Sequence, residues 1–431
     1  MIDRARMHRG VESTLRSFQI RNFRLFFGGQ LVSQVGNWLT LIAQTLFVLH
    51  LTDNNAVAVG VLTACQFLPV LVLGAWSGLV ADRTDKRKLL LWVQVFAMAQ
   101  SFAMAGLAFM GNPPLLAIYG VAMAGGVATA FDNPARRSFV VEMVPPTHVQ
   151  NAVSLNSALM TSARVIGPPI AGLLIVTSGY GWCFAIDGLT YIAVLLAYWR
   201  MNTDEIVKTE AAPQAKGQIR DGLRYVRSEV DLWVPLVMTA IIGTFAMNFP
   251  VVFPLFVKEN LGGTDTTFTI LYAVVALGSL AAALVTARRT SISHRDVVRG
   301  SVWFGVSLIV MALSPSLATT YPASLFLGFT SILVITTTTA MVQLNTTPMM
   351  RGRVLALQAM VLLGSTPIGG PLLGVVCEEF GARAGFLVGA VACFVAAAWG
   401  VSAVRRAALA EPSGAPAASI QIGSAASNVP R

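Results

Sequence analysis

The chain has 431 residues, 55% of them hydrophobic and only 12% charged, with a mean hydropathy of +0.68 and a formal net charge of +10. Usage this apolar excludes an ordinary soluble domain and points to an all-α polytopic membrane protein. The positive charge decides nothing until it is placed, because a basic patch suits nucleic acid whereas basic residues in alternate loops set membrane orientation.

Residues 1–24 are polar and basic, with Arg16, Arg21 and Arg24 beside the first apolar run, as expected of a cytoplasmic segment. Span one, Leu25 to Leu49, carries Gln30, Gln34, Asn37 and Gln44. At 100° per residue these amides fall within an arc of roughly 80°. Such a stripe faces the bundle interior, as helix-to-helix glue or as cavity lining. Four amides exceed the needs of one helix contact, which favours lining.

After the turn Asp53 to Asn55 comes span two, Val57 to Leu79, and then the charged loop Ala81-Asp82-Arg83-Thr84-Asp85-Lys86-Arg87-Lys88. Gly74 and Gly78 predict a close helix approach at its entry. Asp82 is placed to accept from the first N–H groups of a helix, and Arg83, Lys86 and Arg87 to hold headgroups or a carboxylate. Spans three (Leu89 to Met110) and four (Leu115 to Phe131) meet at Gly111-Asn112-Pro113-Pro114, and Asp132 follows at the inner end of span four. Spans five (Ala152 to Val176) and six (Trp182 to Trp199) carry Arg164 and Asp187.

Residues 200–232 form a polar link with a surface helix over Ile219 to Val230, dividing the chain into bundles at 25–199 and 233–404. Six further spans follow at about 233–257, 268–287, 298–313, 323–344, 354–377 and 384–403. Span seven holds Asn248, and span ten holds Thr336 to Thr339 and Gln343. Consecutive threonines cannot share one face, so some should bond their own helix carbonyls. The tail, residues 405–431, has the composition of a disordered segment.

With twelve spans, all lysines and arginines except Lys258, Arg383 and Arg164 fall in the loops of one side, the side of both termini. That asymmetry places the termini in the cytoplasm and removes the need for nucleic acid. The four cysteines and four histidines show no metal or nucleophile spacing and no phosphate loop appears, so no metal, cofactor or enzymatic activity is expected. A shift of 202 residues lays Ile166-Gly167-Pro168-Pro169-Ile170-Ala171-Gly172 on Ile368-Gly369-Gly370-Pro371-Leu372-Leu373-Gly374, Gly179 on Gly381 and Phe184 on Phe386. Two equivalent six-span halves follow, with substrate expected between them near the midplane.

Several stretches together resemble one branch of the major facilitator superfamily, the drug/proton antiporters that include enterobactin exporters and macrolide efflux proteins. They are the loop from Gly78 through Asp82-Arg83 to Lys86-Arg87, Pro134-Ala135-Arg136-Arg137, Asn151-Ala152-Val153-Ser154-Leu155-Asn156-Ser157, Arg164-Val165-Ile166-Gly167-Pro168 and Arg351-Gly352-Arg353-Val354. Where the family pattern has a second glycine in the loop, this chain has Asp85. The resemblance implies two pseudo-symmetric six-helix bundles in a bacterial inner membrane, acting as a monomer on a small-molecule substrate and protons. It makes Gly167, Pro168 and Gly172 an antiporter-like motif in span five, where a bend is physically reasonable. It also implies that spans one, four, seven and ten line the cavity, which selects the span-one amides, Asn248, Thr336, Thr339 and Gln343 as substrate contacts. Arg164, Asp187 and Asp132 are the proton-coupling candidates. The family's span-four arginine has no counterpart in Leu115 to Phe131, and Arg164 is the available substitute. The functions implied are drug export, dedicated export of a siderophore or other secondary metabolite, or a transport-inactive sensor.

Overall fold

The computed structural model describes residues 16–207, 218–286, 292–347 and 350–410. The expectations for residues 1–15, for the linker residues 208–217 and for the tail past Ala410 lie outside the described residues. Twelve stretches are helical, long and apolar enough to cross a bilayer, and no strand occurs among the described residues.

The first half is α1 (Arg21–Leu51), α2 (Ala56–Arg83), α3 (Lys86–Phe109), α4 (Leu115–Glu142), α5 (Val149–Ser178) and α6 (Tyr180–Trp199). The connecting helix α7 (Gln218–Ser228) follows, with the Arg227 guanidinium 5.5 Å from the Trp233 ring. Span seven consists of α8 (Val230–Phe245) and α9 (Phe249–Leu255) with a π turn Phe256–Asn260. Then come α10 (Asp265–Thr286), α11 (His294–Leu313) and α12 (Leu317–Asn345). Span eleven is α13 (Arg351–Gly364) plus α14 (Thr366–Phe380), and α15 (Ala382–Ala410) is span twelve, carried beyond residue 404.

Local signals explain most boundaries. Asp53 and Asn54 adopt φ 49° and 68°, and the Asn55 side chain accepts from Ala58 N at 2.7 Å to start α2. The repeat is visible in the backbone: α5 ends at Gly179 (φ 87°, ψ 171°) and α14 at Gly381 (φ 79°, ψ 162°), a conformation that favours glycine. Phe184 and Phe386 are both buried.

One boundary differs from expectation. Span four does not stop at Phe131 but runs through Pro134 to Glu142, so Asp132 lies more than two turns inside α4. A proline removes one backbone donor, which a long packed helix tolerates in a membrane. Large apolar side chains face outward, Leu116 at 81% and Trp92 at 76% exposure, which is the surface a lipid environment requires.

The face bearing the described chain ends is called the basic face, and its opposite the far face. The halves meet toward the far face. Gly172 on α5 packs against Thr269 on α10, and Gly374 on α14 lies with its Cβ position 2.8 Å from the Ala56 carbonyl on α2. Small residues at such crossings let backbones approach closely.

Candidate functional site

The charged loop ties the first half together on the basic face. Lys86 donates to Glu142 at 2.7 Å, both buried, joining the start of α3 to the end of α4. Arg87 donates to the carbonyls of Tyr198 (2.7 Å) and Trp199 (3.2 Å), completing the C-terminus of α6. The carboxylate that caps α3 is that of Asp85, which accepts from Lys88 N at 3.1 Å. Asp82, the expected cap, is half-buried at the end of α2, and Arg83 is exposed. A methyl group on Gly74 or Gly78 would meet nothing within 4 Å, so the close approach expected there is absent from this arrangement of the halves.

Deeper in the first half lies a polar network that the sequence pattern only half revealed. Asp132 Oδ2 sits 3.1 Å from Arg136 Nε one helical turn on, and Gln94 of α3 donates to Asp132 Oδ1 at 2.8 Å. Arg136 also donates to Gln30 Oε1 (3.4 Å) and Asn133 Oδ1 (3.1 Å), while Gln30 donates to the Tyr198 hydroxyl (2.9 Å) and Gln34 to Gln30 (3.3 Å). Arg136 therefore stands on the span-four helix, beyond the boundary expected at Phe131. An acid and a base four residues apart were the signal, hidden by ending the span with its apolar run at Phe131.

The amide stripe of α1 is correspondingly consumed. Gln30, Gln34 and Gln44 are buried, Gln44 accepting from Gln66 at 2.6 Å, and half-buried Asn37 accepts from the Tyr191 hydroxyl at 2.8 Å. Gln30, Asn37 and Gln44 are helix-to-helix glue in this conformation, and buried Gln34 bonds Gln30 on its own helix.

Asp187 is 1% exposed at the junction of α1, α3 and α6. Its Oδ2 accepts from Thr40 and from Ser101, each at 2.7 Å, its Oδ1 has no hydrogen-bond partner, and Gly36 packs directly against it. No cation lies within ion-pair distance of it among the described residues. Arg164 is elsewhere, at the centre of α5, with its guanidinium 5.8 Å from the Trp38 ring and a buried Nε lacking a hydrogen-bond partner. The two candidates do not meet. A guanidinium at that depth costs at least about 2.5 to 3.5 kcal/mol when unpaired.

The span-five motif acts as a packing surface. Gly167 receives Trp38 and Gly172 receives Thr269, and α5 stays helical through buried Pro168 and exposed Pro169 from residue 149 to 178. Trp38 in turn meets Tyr272 of the second half, ring centroids 6.2 Å apart. The far ends are latched by two carboxylates. Asp265 accepts from the Tyr180 hydroxyl (2.7 Å) and pairs with Lys258 (2.9 Å), while Glu378 accepts from Ala56 N (2.7 Å) and Asn55 (3.2 Å). Above this closure the far face holds an open depression of about 650 Å³ lined by Asp53, Tyr180, Lys258 and Asp265 among others.

In the second half, spans seven and eleven are interrupted where they touch. Asn248 sits in the break before α9, donating to the Thr244 carbonyl at 2.7 Å with a buried Oδ1 left unpartnered, and its Nδ2 lies 2.6 Å from the Cβ position of Gly369. Ser365 marks the break in span eleven, its Oγ 2.6 Å from the Cβ position of Gly243. Pro250 and Pro367, each in the first turn of the helix that follows, were the unread signals. All four threonines from Thr336 to Thr339 bond their own helix carbonyls; Thr339 also accepts from Gln358 at 3.0 Å, and Gln343 is exposed.

Comparison with known proteins places this geometry. Residues 12–417 match the family model described as transmembrane secretion effector. The staphyloferrin A transporter of Staphylococcus aureus is 23% identical over 83% of this chain and 90% of its own. Macrolide efflux protein A of Streptococcus pyogenes is 22% identical over 85% and 92%, and the putative bacilysin exporter BacE of Bacillus subtilis is 24% identical over 61% and 66%. Among solved structures, a bacterial homologue of the lysosomal transporter Spinster, inward-facing and unoccupied, superposes with TM-score 0.73 at 16% identity, over 89% of this chain and 97% of that one.

Proposed function

Because the chain belongs to the transmembrane secretion effector family of the major facilitator superfamily, we propose that it is a proton-coupled antiporter that exports amphipathic small molecules by alternating access. In this reading it is a monomer in a bacterial inner membrane with the basic face toward the cytoplasm, and the closed far face corresponds to a cavity open inward. The family and the named relatives support export as such.

One observation carries the proton-coupled reading: Asp187 is buried among three helices with two hydroxyl donors and no countercharge. Burying a charge without a partner is costly, so the state of this carboxyl is tied to how α1, α3 and α6 sit around it. A proton arriving from outside and leaving inside would then drive their rearrangement. Asp132, held by Arg136 and Gln94, is assigned to positioning the inner network.

A second reading, dedicated export of a siderophore or other secondary metabolite, is favoured by the staphyloferrin A and bacilysin relatives. Liposomes with an acidic interior and a pH dye separate these. Macrolides, lipophilic cations and siderophores are added in turn to wild type, Asp187→Asn and Asp132→Asn. Substrate-driven proton release in wild type, lost in Asp187→Asn with binding retained, is the expected result. Release that persists in Asp187→Asn removes Asp187 as carrier, and release by siderophores alone selects the second reading.

A further inference from the structure

We propose that Arg164 anchors an anionic group, a carboxylate carried by the exported amphipathic molecule, with the Trp38 ring alongside the apolar part. The inference rests on the export reading and names its substrate class.

Arg164 stands at the midpoint of α5, one turn below Gly167, which packs on Trp38 of α1, and two below Gly172, which packs on Thr269 and closes the seam toward the far face. A molecule entering between the halves from the basic face would reach this guanidinium at the top of its path. Trp38 lies 5.8 Å from the guanidinium and faces Tyr272 across the seam, so cation and aromatic surface are offered side by side. Nε is buried without a hydrogen-bond partner, and the planar fork matches a carboxylate at two points.

Among the described residues no carboxylate pairs with Arg164 at this depth. Asp187 directs Oδ2 to Thr40 and Ser101, and Asp132 is engaged by Arg136 and Gln94. Between Asp265 and Glu378, at the far ends of α10 and α14, the second half has one acidic residue, Asp296, in the first turn of α11 on the basic face. Helix α1 also separates the two candidate groups. Gly36 and Thr40 pack on Asp187, whereas Trp38, about 200° round the helix from Gly36, packs on Arg164.

The test measures equilibrium binding of naphthylacetate and of its uncharged amide to the purified full chain, in wild type, Arg164→Gln and Arg164→Lys, with thermal melts of each variant as the folding check. The acid should bind about tenfold tighter than the amide in wild type. That preference should vanish in Arg164→Gln and survive in part in Arg164→Lys. Equal binding of acid and amide in wild type, no binding of either, or an unchanged preference in a folded Arg164→Gln overturns the assignment. Proton release in the same liposomes keeps the two readings apart. Acid and amide releasing protons equally would remove the anchor and leave antiport standing, whereas an acid preference in binding with no proton release would keep the anchor and remove antiport.

Discussion

The two halves share a backbone plan and divide the chemistry between them. The first half holds its helices together with charge: Lys86 on Glu142, Arg136 on Asp132 with Gln30 and Gln94, and Arg87 on the end of α6. Rings pack both halves, but among the described residues the second has its ion pairs only at helix ends, Lys258 with Asp265 and His294 with Asp231; its threonines turn onto their own helices, and it is the half whose spans are interrupted. The two bundles thus keep one backbone plan and differ in where their polar ties lie, buried between helices in the first and at helix ends in the second.

The sharpest test of that contrast is Lys86→Ala. It removes the Lys86 ammonium from the buried Glu142 carboxylate and should cost about 3 to 5 kcal/mol, read as a lowered unfolding midpoint in detergent. Replacing both partners, Lys86→Met with Glu142→Leu, should recover most of the loss, and a double variant as unstable as the single would refute the account.

Next come the paired seams. Gly172→Leu and Gly374→Leu each force a side chain into the far-face contact at a cost of about 1 to 3 kcal/mol, shifting the halves apart. Labelling of a cysteine introduced at Val57 by a membrane-impermeant reagent should rise in both. A rise in one alone would break the symmetry.

Smaller effects probe single ends and hydroxyls. Asp85→Ala should cost about 1 kcal/mol by uncapping α3, while Asp85→Gly, the residue of the family pattern, costs only a few tenths. Smallest is Thr337→Val in the second half, expected within about 0.5 kcal/mol because the hydroxyl only doubles a bond to Leu333 that the helix already makes.

Topology was legible because it depends on properties that add along the chain: apolar length, basic loops and a repeat whose glycines recur with the same φ. Partners were not, since they depend on which helix stands opposite. The stripe of Gln30, Gln34 and Asn37 was correctly placed on one face, yet only the fold sets Tyr198, Arg136 and Tyr191 against it. Trp38, Thr40 and Ser101 passed unremarked because an aromatic ring or hydroxyl in a span carries no charge to draw attention. Arg136 was misplaced for a different reason: the span was ended with its apolar run, whereas the helix continues through charged residues to Glu142.

Helix α1, set between Asp187 on one side and Arg164 on the other, makes the two sites thermodynamic neighbours although they never touch. If an anion at Arg164 shifts α1 and thereby alters proton affinity at Asp187 by some factor, a proton at Asp187 must alter anion affinity at Arg164 by that same factor. In the antiport reading, exchange of one cargo for the other then requires no shared binding site, only a single helix whose position both occupants bias.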